Sequence, residues 1–144
     1  MKSSYCTGRV RALKLWLPVV VWAGLIISAA NDTFSAGNTA GLLERIFGEV
    51  PYVLHVLIRK GSHVVVYAIL GALTWRADRR WTVVIGIALV VAGTDEWMQS
   101  RAANRTGTSW DVLLDLIGAA LAVWLVSSRA KSRDPLPKHG HRAR

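Results

Sequence analysis

The chain has 144 residues, enough for one domain, and 52% of them are hydrophobic. Only 19% are charged and the apolar residues form long runs, which excludes a disordered chain, a coiled coil and an ordinary soluble α/β enzyme. The formal net charge is +9, but the basic residues lie between and after apolar runs rather than on one face, so nucleic acid is not a predicted partner. The sequence therefore predicts an all-α integral membrane protein.

Four apolar segments are predicted to cross the membrane as helices. Residues 13–30 supply the run of about 20 apolar residues that a hydrocarbon core requires, without ionisable groups other than a lysine at the start. A cleaved signal peptide is the alternative for this segment, because a basic start, an apolar run and Ser28-Ala29-Ala30 also fit that pattern. The other three carry ionisable groups at one end and cover residues 52–75, 81–94 continuing toward Ser100, and 110–128.

Between the first two segments, residues 39–50 place Leu42, Leu43, Ile46 and Phe47 on one helical face. This pattern predicts a short amphipathic helix at the outer membrane interface, with an ordinary loop as the alternative.

The distribution of lysine and arginine predicts the orientation, because basic residues are retained on the cytoplasmic side. Of the 18 Lys and Arg residues, 13 lie in the N-terminus, the turn at 76–80 and the tail. Both termini are therefore predicted to be cytoplasmic in a multi-pass protein of the inner membrane. We divide the chain into a basic N-terminus (1–12), one transmembrane domain (13–128) and a basic, disordered tail (129–144).

Ionisable residues inside apolar helices are informative, because each is costly there unless it is paired or hydrated. In each of the last three segments they share one face, which residues such as Gly71, Ala92 and Gly118 continue at spacings that allow close helix packing. The predicted topology places all three polar ends toward the outer leaflet. The polar residues are Lys60, His63 and Tyr67 in the second segment, Asp95, Glu96 and Gln99 in the third, and Asp111 and Asp115 in the fourth.

Two interpretations of this polar cluster have different consequences. In the first, it is an ion-pair network that only holds the helices together, with four bases (Arg59, Lys60, Arg101 and Arg105) facing four carboxylates. In the second, it binds the polar or anionic headgroup of a lipid-linked envelope component. Lys60, Arg101 or Arg105 would then hold the headgroup, with Glu96 or Asp95 as general base and His63 as acid.

Two further functions are less favoured by the sequence. A divalent cation held by His63, Asp95, Glu96 and Asp115 is disfavoured, because Lys60 on the same face would repel it, so no metal is predicted. A transporter is disfavoured because four short helices without an internal repeat offer little for alternating access unless the protein oligomerises. No nucleotide-binding or hydrolase motif is present, and no cofactor is predicted.

The arrangement Lys60-x-x-His63-x-x-x-Tyr67, then Asp95-Glu96 with Gln99, then Arg105 and Asp111-x-x-x-Asp115-x-x-Gly118, resembles the VanZ-like family of small bacterial membrane proteins. The resemblance covers roughly residues 28–126. It implies a role at the cell envelope and an association with low-level resistance to the glycopeptide teicoplanin, with membrane lipids or a lipid-linked precursor as partner. The resemblance indicates which positions form the site, but it assigns no catalytic role to any of them. The candidate site residues are Lys60, His63, Tyr67, Asp95, Glu96, Gln99, Arg105, Asp111 and Asp115.

Overall fold

The structure is a computed structural model and consists of four helices within the part of the chain that it describes. They are α1 (Ser3–Ala29), α2 (Tyr52–Ala77), α3 (Trp81–Arg101) and α4 (Ser109–Lys131). Each contains a stretch long and apolar enough to cross a membrane, so the prediction of four such helices is confirmed. The described residues are 3–29, 41, 45, 46, 48, 51–101 and 109–131.

The helix bounds agree with the predicted segments except at the first helix. This helix begins at Ser3, well before residue 13, and its membrane-spanning stretch runs over Arg9–Ala29. The helix α4 continues to Lys131, into the region that we assigned to the tail. The predicted interfacial helix at 39–50 falls largely outside the described residues, as do residues 132–144 of the predicted tail.

A turn of three residues joins α2 to α3 and makes them neighbours in space. Asp78 leaves the helical conformation (φ −142°, ψ 122°) and ends α2. Its carboxylate accepts hydrogen bonds from the Arg80 backbone N–H at 3.1 Å and from the Arg80 guanidinium at 2.6 Å. This pairing lowers the pKa of the Asp78 carboxyl and raises that of Arg80. Trp75 and Trp81 then pack across the turn, with ring centroids 5.8 Å apart.

The helices α2 and α4 pack more extensively than any other described pair, and two glycines permit their close approach. A Cβ atom at Gly71 would stand 2.7 Å from the Ala119 carbonyl oxygen, and one at Gly118 would stand 2.5 Å from the Val64 carbonyl oxygen. Neither distance leaves room for a side chain. The predicted role of small residues in close helix packing is therefore confirmed at Gly71 and Gly118.

The other two helices complete the bundle around this pair. The indole Nε1 of Trp22 on α1 donates a hydrogen bond of 3.0 Å to the Val66 carbonyl oxygen of α2. Ala88 and Ala92 on α3 are buried, at 0% and 1% exposure. The outward faces carry large apolar side chains that suit contact with lipid rather than water, among them Leu13, Val20, Leu25, Val90, Leu121 and Trp124.

Candidate functional site

Charged and polar side chains from three helices meet at one end of the bundle, formed by the start of α2, the end of α3 and the start of α4. Three contacts between α2 and α4, together with the proximity of one carboxylate on α3, define this group. We call it the polar cluster. Its members are Arg59, Lys60, His63, Asp95, Asp111 and Asp115.

The outermost part of the polar cluster pairs two bases with one acid. Asp111 Oδ2 lies 3.4 Å from the Arg59 guanidinium, and Asp111 Oδ1 lies 3.6 Å from Lys60 Nζ. Asp111 is buried, whereas about two-fifths of each basic side chain is exposed. Because one carboxylate faces two cations, this part of the polar cluster carries an excess of positive charge. Arg59 was considered at the sequence level only as a partner in an ion-pair network, although it directly precedes Lys60.

About one turn deeper, an imidazole meets a second carboxylate. His63 Nδ1 lies 3.0 Å from Asp115 Oδ1, and Asp115 is only 2% exposed. An ionised carboxylate can only accept hydrogen bonds, so Nδ1 carries the proton in this contact. The Nε2 atom of neutral His63 then keeps its lone pair and is available as a base or a ligand.

The helix α3 contributes a buried carboxylate beside this pair. Ligand atoms of His63, Asp95 and Asp115 all lie within 4.8 Å of one another, and Asp95 is 6% exposed. Glu96, the next residue on α3, is partly exposed and within electrostatic range of Asp111 and Asp115. The sequence named Glu96 or Asp95 as a base without a choice between them. In the structure the two differ in exposure, because Asp95 is buried and Glu96 is partly exposed.

Tyr67 lies one turn beyond His63 on the same face of α2. Its side chain is 1% exposed, and its hydroxyl has no hydrogen-bond partner among the described residues. The hydroxyl is within electrostatic range of both Asp95 and Asp115. A buried polar atom without a partner is rare in proteins, so its position beside two buried carboxylates is informative.

The structure thus brings together five of the nine candidate residues and places Tyr67 and Glu96 beside them. The remaining two are not located, because Arg105 lies outside the described residues and the side chain of Gln99 is not described. The same holds for the side chain of Arg101, which the sequence analysis named as a possible headgroup contact. The five that meet are Lys60, His63, Asp95, Asp111 and Asp115.

Comparison with known protein families identifies one match. The model of the family described as VanZ/LLP1 matches residues 14–130, which is most of the chain and includes all four helices that could span a membrane. Comparison with curated proteins finds no match, and neither does comparison with solved structures. The family match covers every residue of the polar cluster, and this multi-pass membrane protein belongs to the VanZ/LLP1 family.

Proposed function

We propose that this protein lies in the cytoplasmic membrane with both termini in the cytoplasm, and that its polar cluster acts at the outer face on a lipid-linked component of the cell envelope. The orientation rests on the distribution of basic residues, because 13 of the 18 fall in the N-terminus, the turn at 76–80 and the tail, which the sequence predicts to lie on the side opposite the cluster. Membership of the VanZ/LLP1 family supports a role at the envelope.

The contact between His63 and Asp115 is the single observation that carries the proposal. A carboxylate on Nδ1 fixes the ring and its tautomer, and it stabilises the imidazolium that forms when Nε2 takes a proton. The pair is therefore suited to remove a proton from a hydroxyl group or return one to a leaving oxygen. The 3.0 Å distance and the burial of Asp115 hold the ring in one orientation before any substrate arrives.

The pair formed by Arg59 and Lys60 supplies the binding part of the proposal. The two cations share one carboxylate and remain partly exposed, so they can also accept an anionic group. Phosphate is the anionic group common to lipid headgroups and lipid-linked precursors, and guanidinium and ammonium groups bind it well. A phosphate held there would lie about one helical turn from His63, within reach of its acid–base chemistry.

A structural role is the second candidate, and the contact pattern favours it specifically. Among the described residues, the contacts of Asp111 with Arg59 and Lys60 and of Asp115 with His63 all join α2 to α4, the pair of helices that packs most extensively. Buried ionic contacts of this kind can fix the register of two helices without binding a substrate. The two candidate functions predict different effects of a substitution in the polar cluster. An acid–base site would lose function alone, whereas a structural network would lose function together with folded protein.

The test compares His63→Gln with the matched control His55→Gln, which changes a histidine about two turns earlier on α2, outside the polar cluster. Each protein is expressed in a susceptible Gram-positive host, and its amount in the membrane is measured. We expect the wild type and His55→Gln to raise the inhibitory concentration of teicoplanin and His63→Gln to leave it at the level of the empty host. Mass spectrometry of lipid-linked precursors from the same cells identifies the affected lipid.

Two results would count against the proposal. Full resistance in cells that express His63→Gln would show that the imidazole is not needed as an acid or a base. A parallel loss of resistance and of membrane protein in His63→Gln, with His55→Gln unaffected, would favour the structural role instead.

A further inference from the structure

Three side chains from three different helices converge in the inner part of the polar cluster. His63 on α2, Asp95 on α3 and Asp115 on α4 offer one nitrogen and two carboxylate ligands within 4.8 Å of one another. We propose that these residues form a binding site for a divalent first-row cation, either Zn²⁺ or Mn²⁺. The inference goes beyond the proposed function and does not depend on it.

The distances are close to those that a bound ion needs. Ligand atoms about 2.0 to 2.2 Å from a Zn²⁺ lie roughly 3 to 4 Å from each other. His63 Nδ1 and Asp115 Oδ1 are 3.0 Å apart, and the widest separation in the group is at most 4.8 Å. The ion would replace the proton that Nδ1 shares with Asp115, and the widest separation exceeds the coordination range by about 1 Å at most.

The charge of the group also favours a cation. Asp95 and Asp115 are 6% and 2% exposed, and together with His63 they carry a net negative charge even when the imidazole is protonated. Two carboxylates attract a divalent ion placed between them, and the attraction is strong where little solvent screens it.

The repulsion expected from Lys60 is reduced in the structure. Lys60 Nζ lies 3.6 Å from Asp111 Oδ1, and two-fifths of its side chain is exposed. Asp111, which Arg59 also contacts, lies about one turn from Asp115 on α4, so the ammonium group is held outside the proposed site and its charge is partly offset there. The sequence predicted repulsion because Lys60 and His63 share one face of the helix. The sequence did not show which carboxylate the lysine contacts.

Tyr67 gives an independent indication of a ligand. Its hydroxyl is buried, has no partner among the described residues and lies within electrostatic range of Asp95 and Asp115. A hydroxyl in this position, which has no described carboxylate within hydrogen-bond distance, can donate a hydrogen bond to a water or another oxygen atom bound to the ion. Hydrogen bonds of this kind around metal ligands orient them and strengthen binding.

The donor set selects the kind of ion. Imidazole nitrogen suits Zn²⁺ and other first-row transition metals, whereas Ca²⁺ and Mg²⁺ prefer sites made entirely of oxygen. Two carboxylates with one imidazole therefore suit Zn²⁺ or Mn²⁺. Three protein ligands leave at least one coordination position open for water or for an oxygen atom of a substrate.

The test measures metal binding by the purified full-length protein in detergent. A tag without histidine is used, and His139 and His141 are replaced by Ala throughout, because tail histidines can bind Zn²⁺ by themselves. The protein is treated with EDTA, equilibrated with Zn²⁺ or Mn²⁺ alone, desalted and analysed by mass spectrometry for metal per chain. Isothermal titration gives the affinity. Asp78→Asn is the matched control, because it removes a carboxylate in the turn after α2, about four helical turns from His63 and outside the proposed site.

We expect about one ion per chain in the parent protein and in Asp78→Asn, and at least a tenfold loss of affinity in Asp95→Asn and Asp115→Asn. Size-exclusion chromatography verifies that each variant is folded. Co²⁺ absorption of the parent protein gives a second measurement, since its spectrum should change in His63→Gln if the imidazole is a ligand.

The inference is overturned if the folded parent protein retains no ion, or if Asp78→Asn weakens binding as much as Asp95→Asn. Ion binding and the proton-transfer role of His63 are alternative uses of one side chain. Because metal binding is measured without substrate, its failure leaves the proposed function standing, and loss of resistance in His63→Gln is measured separately.

Discussion

Asp111 and Asp115 lie about one turn apart on the same face of α4, yet they have different partners and surroundings. Asp111 contacts two basic side chains that reach the solvent-exposed part of the bundle. Asp115 contacts the partly buried imidazole of His63 and is itself only 2% exposed. The sequence predicted that both carboxylates lie on one helical face, but it did not assign their partners, because these depend on the register of α2 against α4.

This difference predicts unequal effects on stability. Asp111→Ala leaves two cations that can turn toward water, so we expect a loss of about 1 kcal/mol or less in the free energy of unfolding. Asp115→Ala removes one member of a buried pair and should cost about 3 kcal/mol. Reversible unfolding in mixed detergent micelles measures both. Equal losses would show that the lower exposure of His63, compared with Arg59 and Lys60, does not make the contact of Asp115 the more stabilising one.

At the level of the elements, the decisive contact is the close approach of α2 and α4. The small-residue spacing in the sequence predicted that these helical faces can approach a neighbour, and Gly71 and Gly118 do so. The spacing did not reveal that Gly71 faces Ala119 and that Gly118 faces Val64. A helical face has the same pattern whichever neighbour it meets, so only the packed bundle identifies the partner.

Gly118→Ala should disrupt this contact. Its new Cβ would stand 2.5 Å from the Val64 carbonyl oxygen, so the backbones must move apart, and we expect a cost of about 2 kcal/mol or more. Gly93→Ala is the matched control, because no atom lies within 4 Å of a Cβ at that position. Thermal unfolding in detergent and the yield of folded protein compare the two. A Gly118→Ala protein as stable as Gly93→Ala would contradict the close packing of α2 and α4.

At the scale of the whole molecule, the start of α2, the end of α3 and the start of α4 meet at one end of the bundle, whichever way the bundle is inserted in the membrane. The proposed orientation rests on the sequence, because 13 of the 18 basic residues fall in segments that are predicted to lie at the opposite end.

The single cysteine of the chain offers a direct test of the orientation. Cys6 lies in the N-terminal region that we predict to be cytoplasmic, so a membrane-impermeant maleimide should label it only after spheroplasts are permeabilised. As control, Ser35→Cys in a Cys6→Ser background places a thiol in the predicted outer connection and should react in intact spheroplasts. Labelling of Cys6 in intact spheroplasts, with Ser35→Cys protected, would reverse the orientation and exclude an outward-facing cluster.

The sequence by itself determined the membrane class, the four helices and their approximate ends, because the length and apolarity needed to cross a bilayer are properties of continuous segments. It also indicated which faces are polar, since a helix repeats its direction about every 3.6 residues. Only the tertiary structure decided that Lys60 pairs with Asp111, that His63 pairs with Asp115 and that Asp95 joins them. These contacts join residues far apart in the chain, and their geometry depends on the rotation and register of the packed helices, which periodicity within one helix does not contain.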